Sequence, residues 1–282
     1  DYSRIINTTD PKYYKWTQWI FLKMFEHNLV FRDKTYVNYC PSCKVVLSNE
    51  DSQGGKCDIC HNDVIQKEKD VWYLRISKYA DKLLEGLDEI ESPENIRLQQ
   101  ENWIGKSTGA YVNFKVENDN LTVYTTRPDT LFGVTFMVLA PEHPIIEKYK
   151  DRISNMHEIN VYKEIANKKT EFERVNINKE KTGVKIDGIT AINPLTNKEI
   201  PIYISDYVMM NYGTGAIMAV PAHDKRDYEF AKKFNIDITE VISGGDITKE
   251  AYEGDWVHIN SDFLDGLNKE ESISKVLDYL KR

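Results

Sequence analysis

Apolar and polar side chains alternate with a period of two along much of the second half of the chain. "GAYVNFKV" (109–116) and "LTVYTT" (121–126) flank the turn "ENDN", and each sends every second residue to one face. That pattern predicts an antiparallel hairpin. Four further stretches, "TFMVLA", "GVKIDGITAINP", "EIPIYISDYVM" and "TGAIMAVP", read as strands of the same β-rich unit. Helical patterns fall between them, at about 143–152, 158–167 and 226–234.

The first hundred residues follow a longer period. In "TDPKYYKWTQWIFLKMFEHNL" (9–29), Tyr13, Trp16, Ile20 and Met24 recur at helical spacing. Thr9 or Asp10 suits the N-cap and Pro11 the first turn. The stripe is expected to face a core. A second amphipathic helix is expected over 77–90, with Ser77 as its cap and Tyr79, Leu83, Leu87 and Ile90 on its apolar face. A third opens at Pro93 and runs to about Glu101. The character changes at Trp103. The chain therefore divides into a helical connector over 1–102, carrying a small module at about 36–66, and a β-centred domain over 103–282. It begins without methionine and reads as a piece of something larger.

All four cysteines lie in the small module, as Cys40-Pro-Ser-Cys43 and Cys57-Asp-Ile-Cys60, with 13 residues between the pairs. Two such knuckles can present four thiolates to one tetrahedral zinc. Gly54 and Gly55 permit the reversal before the second knuckle. Four thiolates leave no open coordination position, so the zinc is expected to be structural. His61, beside Cys60, is a weaker alternative ligand. Clustered cysteines of this kind suit a reducing, cytoplasmic setting better than a disulfide framework. No run of apolar residues approaches the length of a membrane helix.

Net charge is −8. Neither half carries the basic surplus of a protein that holds nucleic acid through phosphates alone. A nucleic-acid substrate would need a local patch or another part of a larger protein.

Two stretches carry candidate chemistry. The first, "LTVYTTRPDTLFG" (121–133), crowds Thr125, Thr126, Arg127 and Thr130 at a strand end. The second, "NYGTGAIMAVPAHDKRDYEF" (211–230), holds Tyr212, Met218, Val220, His223, Asp224 and Asp227. Its Gly213-Thr-Gly215 is not a dinucleotide fingerprint, because Met218 stands where the third glycine belongs and a strand-like run follows. The glycines instead suit close backbone approach. Acidic residues at the start of the helix after His223 suit capping; together with His223 and Arg226 they also suit a polar site.

"YTTRPDTLFG" and "YGTGAIMAVPAHDKRDYEFA" resemble the editing-site signature of the leucyl-tRNA synthetase family. "NYCPSCKVVLSNE" and "NWIGKSTGA" resemble the zinc module and the start of the editing domain in the same family. The resemblance covers essentially the whole chain and corresponds to the insertion called connective polypeptide 1. The class I aminoacylation signatures, of HIGH and KMSKS type, are absent. The resemblance implies an α+β fold: a β-barrel-centred editing domain with peripheral helices, plus a zinc-ribbon module on a helical arm. It implies hydrolysis of the ester on leucine tRNA mischarged with isoleucine, methionine or norvaline, with leucyl-tRNA spared.

The family's roles carry over as follows. Thr130 matches the residue that excludes leucine's branched side chain, and Asp227 the acid that binds the α-ammonium. Thr125 and Thr126 match residues beside the scissile ester, and Tyr212, Met218 and Val220 the pocket wall. Arg127 is expected to anchor its loop through an acidic neighbour. His223 and Asp224 lie beside the matched acid, and His223 is one candidate base; substrate-assisted catalysis by the ribose hydroxyl needs none. ATP belongs to the parent enzyme and not to this segment. The expected partners are leucine tRNA and the rest of the synthetase, around a monomer. The alternative is a non-catalytic zinc-ribbon module for RNA binding or docking.

Overall fold

The structure is a computed structural model that describes residues 3–167, 169, 173–174, 180–210 and 213–281. The first helix, α1 (Pro11–Glu26), begins where the sequence placed it: Asp10 accepts the Lys12 N–H at 2.8 Å and Pro11 fills the first position. Its apolar stripe does not enter a core. No α1 residue is buried, and Trp16 and Ile20 are 58% and 53% exposed. The helix rests on the neighbouring sheet through Phe21 and Phe25, whose rings meet Trp72 edge-on.

That sheet adds two long strands to the connector that the sequence pattern did not reveal. β1 (Val30–Cys40) and β3 (Ile65–Leu74) pair antiparallel from Val30↔Leu74 to Tyr39↔Ile65, and β2 (Val45–Leu47) pairs with the far end of β1. β3 has no buried residue and β1 few, so neither strand shows the in–out alternation that predicts a half-buried strand. The second helix is also shorter than expected. A 3-10 turn covers Ile76–Tyr79, so Ser77 lies inside it and caps nothing; α2 (Ala80–Gly86) follows. α3 (Glu94–Ile104) follows Pro93 and stops at Gly105, whose φ of +60° suits the left-handed end of a helix.

The second unit is built on six strands: β4 (Ala110–Val116), β5 (Asp119–Thr125), β6 (Phe136–Leu139), β7 (Val184–Ile192), β8 (Glu199–Ile204) and β9 (Ala216–Ala219). Their order is β5-β4-β7-β8-β6-β9. β6 and β8 run parallel, and the other neighbours antiparallel. The edge strands β5 and β9 come into contact, so the sheet curls into a nearly closed barrel. Alternation holds: Val112, Phe114 and Val116 of β4 are buried and Tyr111, Asn113 and Lys115 are not. β6 is buried on both faces. Met137 and Leu139 join the barrel core, while Phe136 and Val138 pack under α6 (Lys225–Phe234) with Tyr203, Phe230 and Ala231. α4 (Pro144–Lys148), α5 (Met156–Asn167) and α7 (Lys269–Leu280) lie peripherally, and α7 packs on the turn after β5. Among the described residues, no helix is long and apolar enough to cross a membrane.

Candidate functional site

β5 ends at Thr125, and the chain then bends into a 3-10 turn at Pro128–Gly133. Thr125 Oγ1 accepts the Arg127 N–H at 3.0 Å. Thr130 donates its hydroxyl to the Arg127 carbonyl at 2.9 Å, and its N–H reaches the same carbonyl at 3.2 Å. Thr130 is buried. With the hydroxyl committed, its rotamer is fixed and so is the direction of its methyl. Thr126 is exposed.

Arg127 is held from two sides. Its Nε and Nη2 reach the Asp129 carboxylate at 2.9–3.2 Å, and its Nη1 reaches Asp255 Oδ1 at 3.0 Å. Asp129 is fully buried. Burial pulls its carboxyl upward, but His258 and Arg127 outweigh that and hold it below the ordinary carboxylate value. His258 Nε2 lies 3.1 Å from Asp129 Oδ2. Its Nδ1 faces the Leu267 carbonyl at 3.1 Å and Ser272 Oγ of α7 at 3.0 Å. No local signal in the sequence ties His258, Asp255 or Ser272 to this turn; the acidic neighbour of Arg127 was the legible part.

The second element is the passage from β9 into α6. Met218 stands opposite Met137 and packs against the barrel core, and Val220 is buried in it. Asp224 caps α6 by accepting the N–H groups of Arg226 and Asp227 at 2.8 and 3.1 Å. Asp227, in the first turn, is buried and accepts the Val220 N–H at 2.9 Å. Burial, with the Asp224 charge nearby, raises its carboxyl well above the ordinary value despite the Val220 bond. Tyr212 lies outside the described residues. Gly213 and Gly215 take φ of +64° and +71°, and a Cβ on Gly215 would meet Met210 Sδ at 2.4 Å. Gly215 allows the close approach the sequence suggested, whereas a Cβ on Gly213 would meet open space, and only its positive φ favours glycine there.

His223 corrects one expectation. Its Nδ1 donates to the Tyr252 carbonyl at 2.9 Å, and its Nε2 accepts the Val241 and Ile242 N–H groups at 3.0 Å. Burial, chiefly, lowers its proton affinity below the ordinary histidine value. Both ring nitrogens are committed to backbone, so the ring offers no lone pair to activate water. The histidine fastens the 241–252 segment to the loop before α6.

The two elements meet at Val220. A Cβ on Gly133 would lie 3.2 Å from Val220 Cγ1 and 2.8 Å from Val241 Cγ2, so its absence lets the Thr130 turn lie against both. Val220 thus touches the Thr130 turn through its side chain and Asp227 through its N–H. Thr125 and Thr126 sit immediately upstream of that turn.

In the smaller module, the Sγ atoms of Cys40, Cys43, Cys57 and Cys60 lie within 4.8 Å of one another. A tetrahedral zinc with Zn–S near 2.3 Å places its sulfurs about 3.8 Å apart, so the cluster fits such an ion. The two knuckles repeat one geometry. Lys44 and His61 each follow a second cysteine, take φ of +58°, and donate N–H to the carbonyl of Cys40 and Cys57 at 2.8 Å. His61 is outside the cluster among the described residues. Hydrogen bonding with Cys60, then burial, pushes the Cys43 thiol up to about 12, while Cys60, helped first by a backbone N–H, falls to about 7. A cation at the centre is what would let all four ionise.

Residues 101–281 match the family described as leucyl-tRNA synthetase, editing domain. The chain belongs to that family. Residues 1–109 of this synthetase segment match the class I tRNA synthetases for I, L, M and V. It is 54% identical over 284 residues to the leucine–tRNA ligase of Alkaliphilus oremlandii, which covers all of this chain and 35% of that protein. It is also similar, at a TM-score of 0.68 and 31% identity, to LeuRS from Agrobacterium radiobacter in a ternary complex with tRNA and LeuAMS. That match covers 97% of this chain and 31% of the other. The synthetase segment thus spans about a third of the length of the relatives it matches.

Proposed function

We propose that this segment is the post-transfer editing domain of a leucine–tRNA ligase. It hydrolyses the aminoacyl ester of leucine tRNA carrying isoleucine, methionine or norvaline, and spares leucyl-tRNA. The observation that carries the reading is Asp227: a buried carboxylate whose proton affinity is raised by its surroundings, joined through Val220 to a turn whose threonine is fixed in one rotamer. An arriving α-ammonium would keep Asp227 ionised and replace lost solvation with a charge-assisted hydrogen bond. Thr130 would present its methyl to the substrate side chain. One methylene of misfit is worth about 1–3 kcal/mol, which is why a separate site is needed to remove errors the synthetic site admits.

Thr125 accepts from the Arg127 N–H, so its own hydroxyl proton is available to the ester or terminal ribose. Thr126, exposed beside it, would orient water or the ribose. Met218 and Val220, with Tyr212, would line the pocket. With His223 committed, the ribose hydroxyl is the favoured proton acceptor for the attacking water. The four cysteines would hold one zinc, which supplies folding and no chemistry, since four thiolates close its coordination shell. The unit boundary is placed near 103. Leucine tRNA and the remainder of the ligase are the partners, and the cytoplasm, with its reduced cysteines, is the compartment.

The test is deacylation by the full-length ligase carrying this segment, with isoleucyl- and leucyl-esters of leucine tRNA as substrates. Preferential loss of the isoleucyl ester is expected. Equal inertness toward both by folded enzyme would sink the reading and leave a non-catalytic docking module.

A further inference from the structure

The leucine-rejecting wall is braced from a part of the chain that carries no signature residue. The brace begins at Ser272 of α7, whose Oγ lies 3.0 Å from His258 Nδ1. His258 passes the contact to Asp129 at 3.1 Å across 129 positions of sequence. Asp129 grips the Arg127 guanidinium, and the Arg127 carbonyl accepts the Thr130 hydroxyl at 2.9 Å. Ser272, His258 and Asp129 are fully buried, so water does not compete for these bonds. A second contact runs alongside: the rings of Phe132 and Phe263 meet at 5.7 Å, and α7 packs on the same turn.

We infer that His258 is a positioning residue for substrate discrimination, acting through Asp129 and Arg127 to hold the Thr130 methyl against the leucine side chain. This rests on the editing function proposed above. Without the His258 N–H, Asp129 keeps Arg127 as its partner but loses the donor that fixes its second face. The guanidinium can then shift, and the Arg127 carbonyl with it. A threonine free to change rotamer stops being a wall. The predicted defect is therefore a gain: leucyl ester becomes a substrate while isoleucyl ester remains one.

The experiment compares leucyl- and isoleucyl-ester hydrolysis by the full-length ligase as wild type, His258→Ala, His258→Gln, Thr130→Ala and the double variant Thr130→Ala/His258→Ala. Glutamine places an amide N–H near the position of Nε2 and should restore discrimination. His258→Ala should raise the leucyl-to-isoleucyl rate ratio about tenfold or more, the selectivity one methylene of fit provides. In the Thr130→Ala background, changing His258 should move the ratio no further. A ratio unchanged in His258→Ala, with both rates falling together, overturns the proposal. If His258→Ala does not fold, His258→Phe, which keeps a ring in the same space and removes the donor to Asp129, is read instead. An unchanged ratio there overturns the proposal equally. Wild type inert to both esters, with Thr130→Ala inert as well, removes the editing reading itself and this inference with it.

Discussion

The backbone N–H of Val220 donates to Oδ2 of Asp227 at 2.9 Å, and no other protein hydrogen bond to that carboxylate is made among the described residues. One donor is little compensation for a buried charge. The carboxyl therefore titrates higher folded than unfolded. Between its ordinary value of 3.8 and the raised one, the folded chain keeps a proton that the unfolded chain has lost. Stability then falls as pH rises across that window, and the penalty is complete above it. Asp227→Asn should abolish this slope and be at least as stable as wild type at neutral pH. It should also lose about 10- to 100-fold in isoleucyl-ester hydrolysis, since a hydrogen bond to a charged group is worth about 1.5–3 kcal/mol. Thermal melts against pH, paired with deacylation rates, measure both.

Thr130→Ala removes both the methyl and the hydroxyl that fixes it. Leucyl-ester hydrolysis is expected to rise by about 10- to 100-fold, with isoleucyl-ester hydrolysis nearly unchanged. Thr130→Val keeps the shape and loses the bond to the Arg127 carbonyl, so it should fall between the two. Initial rates on both esters would show this order. An Ala variant that still spares leucine would remove Thr130 from its role.

His223 is expected to matter for folding rather than proton transfer. His223→Ala leaves the Val241 and Ile242 N–H groups without their acceptor. Each buried orphan costs about 1–3 kcal/mol, so denaturant unfolding should report a loss of about 2–6 kcal/mol. The wild-type pH–rate profile should carry no limb that His223→Gln abolishes.

Removing metal should unfold one part of the chain and spare another. The cysteine module has a buried core of only Cys40, Leu47, Cys57 and Val64. Structural zinc in comparable peptides supplies about 10–16 kcal/mol of apparent binding energy, so this small core should not persist without it. Chelation, or Cys57→Ser, should abolish amide protection over 36–66 while the six-stranded barrel stays protected. Hydrogen exchange resolves the two regions, and metal analysis should find one zinc per chain.

What the sequence made legible follows from where the information is local. The β4–β5 hairpin alternates cleanly because one face is buried, and the cysteine spacing and the Asp224 cap are short-range chemistry. β1 and β3 escaped notice because strands exposed on most positions leave no period to read. The α1 stripe misled for the opposite reason: its period is real, but nothing among the described residues covers Trp16 and Ile20. At the site, the threonine turn and the loop before α6 were visible as polar clusters. His258 was not, because its partner Asp129 lies 129 residues away and nothing nearby marks a histidine as buried. His223, attractive by its neighbours, proved committed by bonds to backbone at 241, 242 and 252 that sequence does not reveal.

β6 is apolar on both faces, and this leaves its alignment unusually dependent on shape. A one-residue slip would exchange Met137 and Leu139 with Phe136 and Val138, and no side chain within the strand itself is polar and would be driven into the wrong core to forbid it. Discrimination must come from volume. Phe136 lies stacked on Phe230 at 5.3 Å and edge-on to Tyr203 at 5.9 Å, a slot cut for a ring. The strand that follows the threonine turn is thus registered by one aromatic acting as a key, and a smaller residue at 136 would both blur the alignment and leave a cavity beside Phe230 and Tyr203.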